Sequence, residues 1–469
     1  MAAADARIAR SYADAARVPF WLDRPGAPEP CAPLEGDAGA DLAIVGGGFT
    51  GLWAALQAKE EDPARDVVLV ERDSIAFGAS GRNGGFCDST LTHGLPNGIE
   101  RFPREIDAIE AQAAENFKGI AEAIERHGID CDWRTDGEIL VAREPHEVAW
   151  CADSDALLRR YGYDTEVFDR DALRAEIDSP TYLAGVCKRS GVAMLDPARL
   201  AWGLKEAVLR LGVRVHEDTA VTSMRTRGAA LELVTLGGVL TTRRAILATN
   251  GFPPLVRAIR RYVVPVYDHV LMTEPLTAAQ WDAVGWRRRQ GLADMANRFH
   301  YYRVSDDGRI LWGGYDAIYH WGNAVAPELE QRESTFSLLA AHFFETFPQL
   351  EGVRFTHRWG GVIDTCSRFS VMFGTAFEGR AAYAVGYTGM GVGATRFGAR
   401  TALDLVDGSD TERTRLEMVR STPVPFPPEP LRWAGIRLTT RALARADRRQ
   451  GRRGPWLRLL DAVGLGFDS

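Results

Sequence analysis

Short apolar runs and helical stretches alternate near the start of the chain. Residues 41–45 (DLAIV) form one such run, closed by Gly46, Gly47 and Gly48. Leu52, Ala55, Leu56 and Ala58 follow at the spacing of one helix face, and residues 66–71 (DVVLVE) form a second run. A strand, a glycine turn, a helix and a second strand within about thirty residues make the βαβ opening of a dinucleotide-binding sheet. Between 103 and 127, apolar residues recur at Ile106, Ile109, Ala113, Phe117, Ile120 and Ile124, which predicts a long helix with one buried face, ended by Gly128. Asp196 and Pro197 open another helix as N-cap and first residue, with Leu200, Leu204, Val208 and Leu211 on one face and Gly212 as the stop. Residues 213–215 and 245–248 read as strands returning to the first sheet. Residues 262–273 and 300–314 are β-rich, with a hairpin turn at 306–308, and a helix is expected near 328–347. A last strand at 382–385 runs into a glycine-rich turn and a helix. The chain therefore leaves the nucleotide-binding part and returns to it more than once.

Composition narrows the class. The 469 residues are 46% hydrophobic and 25% charged, which excludes a disordered or fibrous chain. No uncharged apolar run approaches the ~18 residues of a membrane span, and the first residues lack an apolar signal core, so a cytoplasmic location is expected. Six separated cysteines without a CxxC pair, and histidines without HExxH, give no reason to expect disulfides or a metal. The net charge of −7, with no long basic stretch before residue 431, argues against nucleic acid. Residues 431–458 hold nine Arg and one acid, Asp447, leaving the rest at 47 − 62 = −15. As a helix, this tail places Leu438, Ala442 and Leu443 on one side. It is expected to pack on the chain's own acidic body or a second subunit, ahead of a membrane surface, because no lipid-anchor motif accompanies it.

Two glycine-rich motifs carry the chemistry. In GGGFTG, Gly46 permits the tight turn, Gly48 lets the backbone approach a pyrophosphate, and Gly51 lets helix and strand pack closely. Glu71 ends the second run 20 residues after Gly51, where a carboxylate accepts the ribose hydroxyls and disfavours a 2′-phosphate. GASGRNGG (78–85) offers a backbone able to lie against a flat ring or a phosphate, with Arg82 to neutralise an anion and Asn83 to hydrogen-bond in either sense.

IVGGGFTG, VVLVE and GASGRNGG, in that order, resemble the FAD-binding N-terminus of the D-amino-acid oxidase, glycine oxidase and sarcosine oxidase superfamily. With PFWLD before the fold and HYYR and RILWGG in the middle, the pattern is most similar to the gamma-glutamylputrescine oxidoreductase group and its aminophosphonate-oxidising relatives. The resemblance covers about residues 15–410. It implies a mixed α/β, two-domain fold of the D-amino-acid oxidase type. The parts would be an arm at 1–39 and a Rossmann-like FAD-binding domain from 40–95, 195–258 and 355–410. A discontinuous β-rich substrate domain would come from 96–194 and 259–354, with a basic helical extension at 411–469. The implied FAD contacts are Gly46, Gly48, Phe49, Thr50, Gly51, Glu71 and Arg72, then Gly78, Ala79, Ser80, Arg82, Asn83 and Gly84. Val221 matches a backbone contact to adenine, and Thr249 and Gly251 match a loop passing the cofactor. Gly386, Thr388, Gly389, Met390, Gly391 and Val392 match the turn at the flavin's pyrimidine edge. The cysteine that attaches flavin in sarcosine oxidases aligns near Gly361, so neither Cys87 nor Cys366 matches it and FAD is expected to be non-covalent.

Relatives of this kind remove hydride from a carbon bearing an amine, and the flavin carries the hard step. The candidate catalytic side chains are Tyr301, Tyr302, Arg303, Trp312, Asp364 and Tyr387, with Tyr267, His269 and Trp359 as further aromatics, of which alternation lets about half face the site. In the family's amino-acid oxidases, an arginine in W-x-G-L-R-P grips the substrate carboxylate. Here Ile363 takes its place and Asp364 follows. The expected substrate is a primary or secondary amine, paired with Asp364 unless that residue only caps a turn. A remote acidic group would be held by Arg303. A deaminating enzyme for glycine, N-methyl or D-amino acids, and a catalytically silent flavin-binding assembly protein, are the other readings. The oxygen-activating lysine of sarcosine oxidases aligns with Trp312, and all four lysines precede residue 206. Oxygen should react slowly, leaving a quinone or another carrier as an alternative acceptor. The oligomeric state stays open.

Overall fold

The computed structural model describes residues 2–462, 464 and 465. Its first sheet is built around the strand Ala38–Val45, which pairs in parallel with Val67–Val70 on one side and Val239–Leu247 on the other. Arg214–His216 extends it beyond Val67–Val70, and Ala381–Val385 extends it beyond Val239–Leu247. Val67–Val70 is buried at every position, as a parallel strand covered on both faces requires. The helices Phe49–Glu61, Pro197–Arg210 and Gly391–Asp407 pack together over this sheet. Leu52, Trp53 and Leu56 are fully buried there, each stabilising the fold by roughly 1.5–3 kcal/mol.

The helix starts and stops follow the sequence signals. Asp196 accepts the Arg199 N–H at 3.0 Å ahead of Pro197, and Gly128 ends Ile106–His127 in the left-handed region at φ +65°. The second sheet has nine strands, with Val263–Thr273, Ile310–Gly314 and His300–Val304 side by side and the helix Glu333–Thr346 packed behind them. The predicted hairpin is present, with Gly308 at φ +76°.

One segment differs from expectation. Phe355–Cys366, assigned above to the FAD-binding part, pairs along its length with Val263–Thr273 in the second sheet. Its middle meets the first domain where Trp359 and Gly360 bond Arg82, and its far end where the Thr388 N–H donates to the Asp364 carbonyl at 3.0 Å. A strand that touches both domains has no compositional mark of which sheet it joins. The N-terminal arm lies across both: Phe20 and Trp21 are buried against Trp202 and Trp359, and Arg24 pairs with Asp196 and Asp306.

Candidate active site

The site begins at the first glycine turn. Gly46 lies at φ +114°, and a Cβ there would fall 2.4 Å from the Ala248 carbonyl oxygen. A Cβ on Gly51 would fall 1.9 Å from the Gly46 carbonyl oxygen, so both positions exclude any side chain. Gly48 is the N-cap of Phe49–Glu61 and supplies no side-chain cap. The Phe49 N–H donates instead to Ser80 Oγ at 2.8 Å. Thr50 is buried, and its hydroxyl donates to Tyr387 at 3.0 Å. The Glu71 carboxylate accepts the Gly47 N–H at 2.6 Å and the Asp73 N–H at 2.9 Å, while burial pushes its pKa up. Val221 packs beside the strands that carry Val45 and Val70. Arg72 is exposed, paired with Asp73 and stacked 4.7 Å from the Phe252 ring.

A second helix N-terminus meets the first. Gly391–Asp407 begins after Met390, which offers no side-chain cap, and packs against Phe49–Glu61. Gly386, Thr388 and Gly389 before it all have positive φ. Two helix starts, side by side and capped by neither Gly48 nor Met390, present N–H groups beyond the one Ser80 holds, and partial positive charge, to an anionic ligand. Val392 is buried, and a Cβ on Gly393 would sit 1.9 Å from the Asp88 carbonyl oxygen. Thr249 accepts the Phe252 N–H in a turn, and Gly251 lies against Val362, where a Cβ would approach to 2.6 Å. Residues 46–51, 78–80 and 386–392 would hold FAD, and the free N–H groups at the two helix starts suit its diphosphate.

Residues 78–85 are pinned, and two assignments change. Asn83 Nδ2 donates to the Ala79 and Ser80 carbonyls and its Oδ1 accepts the Gly85 N–H, so it staples the loop internally. The Arg82 guanidinium donates to Glu330 at 2.5 Å and to the Gly360 carbonyl at 3.1 Å, so its charge is already matched. Gly78 and Ala79 open the short turn Ala79–Gly81, and Gly84 lies under Tyr301, whose ring a Cβ would meet at 2.7 Å.

The substrate wall follows from register. Tyr301 pairs with Gly313, and Tyr302 with Trp312, so the two pairs face opposite sides of the sheet. Tyr301 faces the loop and donates to the Asp268 carboxylate. Tyr302 and Trp312 do not reach the site. They pack in the second domain's own core, with rings 4.5 Å apart, and Tyr302 OH lies 2.9 Å from Tyr182 OH. Tyr267 and His269 are also buried on that far face, Tyr267 bonding Ala326 and His269 packing on Phe336. Arg303 is buried with its guanidinium 2.6 Å from the Leu195 carbonyl and 3.2 Å from that of Gly85, so it is not free to hold a remote acid. Desolvation pulls its pKa down to about 10. Trp359 is buried and donates its indole N–H to the Arg82 carbonyl at 2.9 Å.

Asp364 is a turn anchor. It is 3% exposed, Oδ2 accepts the Gly386 N–H at 2.6 Å, and desolvation raises its pKa to about 7. Tyr387 points away from the pocket, against Gly398 and Thr50. The acid on the wall is Asp268, which the sequence reading missed. It pairs with Gly361, next along the face from Val266 and Ile363. Besides Tyr301 it accepts the His269 N–H at 2.8 Å, and burial raises its pKa to about 6, with Asp316 adding to the rise. A single carboxylate inside the apolar run PVYDHVLMT was the signal available.

Comparison with known proteins agrees with this geometry. The family model described as DAO, FAD dependent oxidoreductase, matches residues 41–405. Gamma-glutamylputrescine oxidoreductase of Escherichia coli is 32% identical over 80% of this chain and 84% of its own. A probable oxidoreductase, OrdL, of Haemophilus influenzae is 27% identical over 82% and 86%. Among solved structures, glycine oxidase of Geobacillus kaustophilus superposes with a TM-score of 0.64 at 18% identity, covering 80% of this chain and 96% of that one. Glycines at 46, 51 and 393 that admit no side chain, two adjoining helix starts and a match spanning most of the length have one reading: the chain belongs to the DAO family of FAD-dependent oxidoreductases.

Proposed function

We propose that this enzyme oxidises a primary or secondary amine, recognised as a cation by Asp268 with Tyr301. The observation that carries the reading is the charge of the wall. Asp268 is half-buried, it pairs with Gly361, which lies against Arg82 of the loop 78–85, and Asp316 reinforces its negative field. Arg82 and Arg303 are both engaged, by Glu330 and by backbone carbonyls. Ile363 stands on the same face and offers nothing to a carboxylate. An α-carboxylate here would meet a like charge without a partner, whereas an ammonium adds a charge-assisted bond to an oxygen with lone pairs to spare.

FAD, when bound, would supply the two-electron acceptor for hydride from the carbon that bears nitrogen, the imine product then being hydrolysed by water. Asp268 orients the amine, and Tyr301 fixes the carboxylate by donating to Oδ2. With a pKa near 6, Asp268 is ionised at neutral pH and able to accept the proton that an alkylammonium must lose. The relative named for gamma-glutamylputrescine supports an amine. A remote acid has no anchor in Arg303, so that part of the expected substrate loses its support.

Anaerobic stopped-flow reduction of the flavin tests the reading, with putrescine, a putrescine conjugate, 2-aminoethylphosphonate, glycine and D-alanine as reductants. Amines should reduce it fastest. Because the Asp268 charge is present above about pH 6 and lost below, amine affinity should fall as pH drops through that value, and Asp268→Asn should abolish this limb. Faster reduction by glycine or D-alanine would overturn the proposal.

A further inference from the structure

The helix Leu431–Asp447 packs by one face only. Trp433 meets Trp321, Arg432 donates to Asn323 at 2.9 Å, and Asp447 accepts from Asn297 at 2.6 Å. Trp456 of the following helix donates to Thr439 at 3.0 Å. The inner face is thus satisfied by the chain's own body, and Arg432 and Arg453 have partners, but five other arginines of the tail have no carboxylate among the described residues. Arg441, Arg445, Arg448, Arg449 and Arg452 are exposed and have no carboxylate within 4.0 Å among the described residues. The acids nearest in sequence are already used: Asp447 bonds Asn297, and Asp461 pairs with Arg453.

The outer face mixes these charges with apolar residues. At about 100° per residue, Leu431, Ala434, Arg437, Leu438, Arg441 and Arg445 fall within about 120° of arc. Leu431 is 64% exposed, Leu438 47%, and Trp321 at the helix start 56%. A stripe about 21 Å long thus sets Arg437, stacked 4.7 Å from the Trp433 ring, and the unpaired Arg441 and Arg445 among leucines, the pattern of a helix lying in a lipid interface.

We propose that this face docks the enzyme on an anionic bilayer surface, the arginines reaching headgroup phosphates and Leu431, Leu438 and Trp321 entering the boundary. The exposed leucines favour lipid over nucleic acid, whose phosphates would use the arginines and leave the leucines in water. The acidic remainder of the chain does not prevent approach, because exposed charges more than about 8 Å from the contact are screened at physiological salt.

The FAD-loaded enzyme should float with phosphatidylcholine vesicles containing one-third phosphatidylglycerol, stay behind with pure phosphatidylcholine, and be released by high salt. Arg441→Gln with Arg445→Gln and Arg448→Gln should lower the partition coefficient about 100-fold while leaving flavin absorbance and amine oxidation unchanged. Leu438→Ser should lower it several-fold with the charge intact. Failure of the wild type to float at low salt overturns the proposal, as does equal binding to neutral vesicles. Dimerisation or nucleic-acid binding through the same arginines, without vesicle binding, overturns it equally. None of these readouts depends on which amine is oxidised.

Discussion

Replacing Asp364 by asparagine isolates the cost of one buried charge. The carboxyl sits 3% exposed, tied to the Gly386 N–H at 2.6 Å, and titrates near 7 instead of its ordinary 3.8. A raised carboxyl pKa means that the folded chain binds the proton more tightly than the unfolded one. This contribution to stability is complete below 3.8 and disappears as pH rises through 7. Taking both values, the group favours the fold by about 2 kcal/mol more at pH 5.5 than at pH 8.5. Asparagine keeps an oxygen for the Gly386 N–H and carries no charge, so this dependence should vanish in the variant. Urea denaturation of FAD-free protein at the two pH values gives the number directly. Other titrating groups are common to both proteins and cancel in the difference. If wild type and Asp364→Asn lose stability in parallel between pH 5.5 and 8.5, Asp364 is not a desolvated anchor and its placement at the turn is wrong.

Two further outcomes follow from the site. Gly51→Ala sets a Cβ 1.9 Å from a backbone oxygen that no rotamer change can move, so purified protein should carry less than about one-tenth of the normal FAD, read from absorbance near 450 nm against protein. Full occupancy would contradict the close packing of strand and helix. Tyr302→Phe removes a buried bond to Tyr182 and should cost about 1 kcal/mol of stability without slowing flavin reduction, whereas Tyr301→Phe should slow reduction at least tenfold. The reverse pattern would show that the hairpin faces had been exchanged.

The glycine turns were legible because their signal is local. Gly51 is required by the Gly46 carbonyl five residues back and Gly46 by its own φ of +114°, although the oxygen that a side chain there would meet belongs to Ala248, and the flanking runs at 41–45 and 66–71 declare the sheet. The hairpin HYYRV was also legible as a strand, but its facing was not. His300, Tyr302, Arg303 and Val304 are all buried, so the pattern does not alternate and offers no clue to which side meets the cofactor. Four aromatic candidates, Tyr302, Trp312, Tyr267 and His269, therefore turned out to be core. Asp268 escaped notice for the converse reason: its partners Tyr301 and Gly361 lie 33 and 93 residues away, and only tertiary pairing makes the acid conspicuous. Asp364 was noticed for its charge, yet its role is set by amides 22 residues further on.

The pinning of residues 82–85 bears on the order of assembly. Trp359 holds the carbonyl of Arg82, Trp21 that of Asn83, and Arg303 that of Gly85, each from outside the loop. None of these bonds involves the cofactor. Ordering a loop costs roughly 1–2 kcal/mol per residue, and here that cost is met while the polypeptide collapses. The bonds that shape the cradle are therefore the polypeptide's own. If FAD can be removed, the stripped chain should keep its far-UV circular dichroism and its urea transition, and loss of either on stripping would contradict this.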